Sequence, residues 1–140
     1  MPAESAVVYL DESIYSRALA QALRDAGIGI RCPGQHVPFG ASAASWLRAC
    51  RENRWIAMIR DQRVQYRPNA IAALHAARVP CLVFTGGQAS ARESADVILA
   101  VIGKLLLAAN KRRPFLYLLS SAGTLSPLRV RRSNPPGQRP

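Results

Sequence analysis

Short, unbroken apolar runs alternate along this chain with segments whose apolar residues recur at helical spacing, and no other feature restricts the fold as strongly. AVVYL at 6–10, IGIRC at 28–32, WIAMI at 55–59 and VPCLVFT at 79–85 read as strands, rich in β-branched and aromatic residues. Between the first two, Ile14, Ala18, Leu19, Ala22, Leu23 and Ala26 fall on one helical face, and Gly27 stands where a C-cap belongs. A second helix is predicted over about 42–53, with Trp46, Leu47 and Cys50 on one face. Pro68 opens a third through Ala77, because proline suits the first helical position. Ser90, with Glu93 three residues on, makes a capping box for a fourth helix through about Asn110. PFLYLL at 114–119 and LSPLRV at 125–130 flank a turn-like SAGT and suggest a terminal hairpin. Strands alternating with helices mean βαβ units: an α/β fold, a three-layer α/β/α sandwich around a mainly parallel sheet. The near-continuous apolar character of 6–10, 55–59 and 79–84 makes those the central strands.

The chain has 140 residues, enough for one domain with a substantial core. We expect that domain over 1–130 and a disordered basic tail over 131–140, where RRSNPPGQRP has no apolar content. Apolar residues make up 49% and charged residues 19%, which excludes a disordered chain. Nineteen Lys and Arg oppose eight Asp and Glu, for a net charge of +11, a balance that favours polyanions such as nucleic acid or an acidic protein partner. The excess is concentrated late, since no acid follows Asp96 and residues 97–140 carry +8. Cys32, Cys50 and Cys81 are scattered without a CxxC pair, which argues against a disulfide framework or a zinc site and for buried thiols in a reducing cytoplasm. The apolar stretch around 97–109 is broken by Lys104 and too short to span a bilayer, so no membrane association is expected.

In parallel α/β sheets the ligand site lies beyond the carboxyl ends of the strands. Asp11 and Glu12 follow the first strand, Arg60 and Asp61 the third, and Thr85, Gly86 and Gly87 the fourth. Carboxylates from separate strand ends would converge at one sheet edge, where an all-oxygen donor set suits Mg²⁺ or Mn²⁺. The plainer assignment has Asp11 capping the next helix and Asp61 paired with Arg60 or Arg63. No GxxxxGK[ST] loop occurs, and His36 and His75 form no legible catalytic arrangement.

Taken together, VVYLDESIYSRALAQALRDAGI at 7–28, His36 ten residues before Trp46, WIAMIRDQRVQYRP at 55–68 and VFTGGQASARESA at 83–95 resemble the PIN-like domains, in particular the small VapC-type toxin branch. The resemblance spans about 6–130. It implies a metal-dependent endoribonuclease using Mg²⁺ or Mn²⁺ and the toxin role in a type II toxin–antitoxin pair. RNA would be its substrate, an antitoxin its partner and a homodimer one form. Asp11 matches the family's first metal-binding aspartate and Asp61 the aspartate of its TKD or TRD element, making both catalytic and metal-ligand candidates. Arg60, Arg63 and Arg67, which follow the third strand, are the candidate contacts to RNA phosphates.

One departure stands out. The family usually carries an acid two or three residues before the Trp, but GASAASW has Ala43, Ala44 and Ser45 there. The chain thus keeps two acids where this chemistry usually has three or four. The alternative function is a non-catalytic PIN-like module that binds RNA or protein through a degenerate metal site.

Overall fold

The computed structural model describes residues 7–35, 37–87, 89–110 and 114–129. His36 and the tail expected over 131–140 lie outside the described residues. The strands are β1 (Val7–Leu10), β2 (Gly29–Arg31), β3 (Ile56–Arg60), β4 (Cys81–Phe84), β5 (Leu116–Leu119) and β6 (Leu125–Pro127). The α-helices are α1 (Arg17–Asp25), α2 (Ala43–Asn53), α3 (Pro68–Ala77) and α4 (Ala91–Asn110). One six-stranded sheet runs in the order β2-β1-β3-β4-β5-β6. All pairs are parallel except the β5–β6 hairpin, which is antiparallel. The expected mixed, mostly parallel α/β sandwich is therefore the observed one, with β1, β3 and β4 inside the sheet.

Successive strand residues face opposite sides, so each strand feeds two cores. Val8, Leu10, Met58, Leu82 and Phe84 pack with Leu19, Leu23, Ile98 and Leu105 of α1 and α4. Tyr9, Ala57, Ile59, Cys81 and Val83 pack with Trp46, Leu47, Cys50, Ile71 and Leu74 of α2 and α3. This double coverage is why the strands read as continuous apolar runs rather than alternating ones.

Local chemistry sets the element ends. α1 begins at Arg17 rather than near Ile14, because the Ser16 hydroxyl accepts from Leu19 N–H at 3.0 Å and caps the helix there. β4 begins after Pro80, whose carbonyl accepts from Ala57 N–H but whose ring nitrogen has no proton to give. The capping box forms as expected: Glu93 N–H donates to Ser90 Oγ at 3.1 Å, and Ser90 N–H donates to Glu93 Oε1 at 2.8 Å. All three cysteines are buried and free, and burial pushes the Cys50 thiol up to about 12, so it is not a nucleophile at neutral pH. No described helix is long and apolar enough to cross a membrane.

Candidate active site

The parallel ladder carries both candidate aspartates one residue past their strands. Asp11 N–H donates to Met58 O and Asp61 N–H to Phe84 O, each at 3.0 Å. This anchors their backbones at the carboxyl edge of β1 and β3, which are neighbours. Asp11 lies two residues beyond Tyr9, and Asp61 two beyond Ile59, so both continue the sheet face that α2 and α3 cover. Asp11 and Asp61 line one open cleft of about 530 Å³, together with Ser13, Trp46, Ile59, Arg60, Gln62, Arg63 and Arg67. Trp46 is buried there and stacks on Tyr9, ring centroids 6.0 Å apart, which gives the cleft a stiff aromatic base.

Each carboxylate is held locally. Asp11 Oδ2 accepts from Ser13 N–H at 3.0 Å and from the Ser13 hydroxyl at 2.7 Å. The same hydroxyl accepts from Arg60 N–H at 3.0 Å, so Ser13 ties the end of β1 to the end of β3. Asp11 thus organises its own turn, while the helix cap falls to Ser16. Asp61 Oδ1 accepts from Arg63 N–H at 2.9 Å, and its Oδ2 pairs with Arg67 Nη1 at 3.2 Å. The ion pair is with Arg67, six residues on, rather than with Arg60 or Arg63. Between them lies a short 3₁₀ turn, Val64–Tyr66, pinned by Val64, which is 1% exposed in the core beneath α2 and α3.

The three arginines divide. Arg63 and Arg67 are exposed on the cleft rim. Arg60 follows Met58 by two residues and pairs with Phe84 in register, which turns its side chain toward the α4 side of the sheet. Its guanidinium donates to Gly86 O at 2.8 Å and to Ser94 Oγ at 3.1 Å, and lies 5.3 Å from the Phe84 ring centroid. Ser94 is fully buried, so this arginine joins β3 to the start of α4. Gly86 is held to glycine by close packing, since a Cβ there would come within 2.6 Å of the buried Phe84 ring. A Cβ on Gly87 would meet only the Gln62 amide, the end of an exposed side chain that can swing aside. Glu12 does not line the cleft; its carboxylate accepts from Gly40 N–H, in the loop before α2.

A family model described as "PIN like domain" matches residues 6–86, more than half of the chain. The chain belongs to the PIN-like domain family. The matched region runs from β1 through β4 and contains every lining residue of the cleft. No curated protein sequence and no solved structure gave a match. A PIN-like domain suggests a nuclease-type module and nucleic-acid binding, and PIN domains are generally metal-dependent nucleases. Among the described residues there is no group of three or more His, Cys, Asp or Glu side chains that could hold an ion. Ala43, Ala44 and Ser45, where PIN-like relatives usually carry an acid, are exposed on the first turn of α2. The donor set is thus two carboxylates. Mg²⁺ is commonly held by one or two carboxylates plus the oxygens of a substrate phosphate, so these residues fit an ion completed by substrate and not a preformed cage. Ser13 is the site residue that sequence reasoning missed; its signal was the hydroxyl two residues after Asp11, a spacing suited to a side-chain-capped turn.

Proposed function

We propose that this chain is a metal-dependent endoribonuclease acting at the Asp11–Asp61 cleft. The observation that carries the reading is that two carboxylates from neighbouring strand ends line one open cleft with two exposed arginines on its rim. Asp11 and Asp61 would hold Mg²⁺ or Mn²⁺ together with phosphate oxygens of the RNA. Such an ion, when bound, supplies charge neutralisation at phosphorus and a more acidic water. Ser13 fixes the orientation of Asp11, and Arg63 N–H fixes that of Asp61. Arg63 and Arg67 meet the phosphates flanking the scissile one, and the net charge of +11 draws the polyanion in. Arg60 serves the same site indirectly, by holding the β3 end against Gly86 and Ser94. The resemblance to VapC-type toxins supports a role as the toxin of a type II pair in the cytoplasm, restrained by an antitoxin, with a homodimer as one assembly.

The second reading is a non-catalytic RNA- or protein-binding module. It is supported by the lack, among the described residues, of a third acid grouped with Asp11 and Asp61, and by the guanidinium already seated on Asp61. Incubating purified protein with single-stranded RNA in Mg²⁺, Mn²⁺ or chelator separates the two. Cleavage that depends on the cation and is lost in Asp11→Asn supports the nuclease. RNA binding without cleavage across a range of both ions moves the assignment to the binding module.

A further inference from the structure

Large apolar side chains that stand exposed in the described structure include Phe39 at 65%, Tyr66 at 76% and Leu107 at 65%. Of these three, Tyr66 sits in the turn between Arg63 and Arg67, both of which line the cleft. That turn is built to hold its shape. Val64 anchors it in the core, Tyr66 N–H donates to Arg63 O at 2.9 Å, and Asp61 takes Arg63 N–H at one end and Arg67 at the other. An aromatic ring left in water forgoes the burial that a ring of its size ordinarily gains. The alternation of a cationic side chain, a free aromatic face and a second cationic side chain is the chemistry that reads single-stranded nucleic acid. A base can stack on an aromatic side chain only when it is not already stacked within a duplex.

We propose that the 61–67 turn is a single-strand-selective lip of the cleft, on which Tyr66 stacks an unpaired RNA base while Arg63 and Arg67 hold the adjoining phosphates. This rests on the RNA reading above and adds a specificity-determining residue: Tyr66, whose ring would distinguish an unpaired base from one stacked within a duplex. The stacking is insensitive to base identity, because every base has a π-face, so the lip selects for strandedness and not for sequence.

The test is fluorescence anisotropy of one labelled single-stranded RNA and of its blunt duplex, in chelator so that no cleavage intervenes. Wild type, Tyr66→Ala and Tyr66→Phe are compared, with thermal melts to show that all three are folded. The expected result is weaker single-strand binding by Tyr66→Ala, on the order of ten-fold, with duplex binding little changed and Tyr66→Phe close to wild type. Undiminished single-strand binding by folded Tyr66→Ala, or an equal loss on both RNAs, overturns the lip. Wild-type protein that binds neither RNA overturns the lip and the RNA reading together. Binding with the expected Tyr66 pattern but no cleavage in a parallel Mg²⁺ assay upholds the lip and removes only the nuclease assignment.

Discussion

Arg67 places its Nη1 3.2 Å from Oδ2 of Asp61, so a guanidinium holds the carboxylate on which a divalent cation would depend. Cation and guanidinium compete for one oxygen. Arg67→Met should therefore tighten Mn²⁺ binding several-fold, read by calorimetric titration without RNA. RNA affinity in chelator should fall, and the slope of log K against log salt should drop by about one phosphate contact. Arg67 is 57% exposed and Asp61 20%, so the pair contributes at most about 1 kcal/mol to folding and the melting temperature should barely move. Unchanged Mn²⁺ affinity in Arg67→Met would show that Asp61 is not an ion ligand.

Asp11→Asn keeps a carbonyl oxygen able to accept from Ser13 and removes the charge a hard cation needs. RNA cleavage should fall below detection while the fold is retained, with the thermal midpoint close to that of wild type. Gel assay and circular-dichroism melt are read on the same preparation. Full cleavage by the folded variant places the chemistry elsewhere.

Arg60 and Arg63 are close in sequence and should behave oppositely. Arg60→Met takes the guanidinium from Gly86 O, which keeps the Ala89 N–H, and leaves the buried Ser94 hydroxyl without its donor, which should cost about 1.5–3 kcal/mol, the range for hydrogen bonds to a charged group. Arg63→Ala, exposed on the rim, should leave stability within about 0.5 kcal/mol and weaken RNA binding instead. Urea unfolding of both variants decides it; equal midpoints would mean that the Arg60 contacts do not hold the start of α4.

Glu93 gives a pH signature at the start of α4. Its backbone and hydroxyl hydrogen bonds with Ser90 hold the carboxyl below the ordinary Glu range. A carboxyl whose value is lowered on folding stabilises the native state above its unfolded value, and that stability drains away as pH falls through the lowered folded value. Wild type should thus be more stable than Glu93→Gln at neutral pH, and urea midpoints of the two should converge in acid. A gap independent of pH would assign the effect to helix propensity rather than to the charged cap.

Periodicity alone carried the element order, the sandwich and the central position of β1, β3 and β4, because strands buried on both faces must be apolar throughout and helices buried on one face must repeat near 3.6. It also placed Asp11 and Asp61 at the edge where such sheets build sites. What each of these side chains meets there was decided by the tertiary structure. Arg60 and Asp61 are adjacent in the chain, yet the pleat and the register with Phe84 send one toward Ser94 and the other into the cleft. Ser13 reaches Arg60 N–H only because β1 and β3 lie side by side, 47 residues apart in sequence. Arg67 returns to Asp61 because burying Val64 bends the intervening turn. Hydrophobic period is a local, one-dimensional signal, whereas partner choice at the strand ends depends on pairing across the sheet and on turn geometry, which come into being only when the chain has packed.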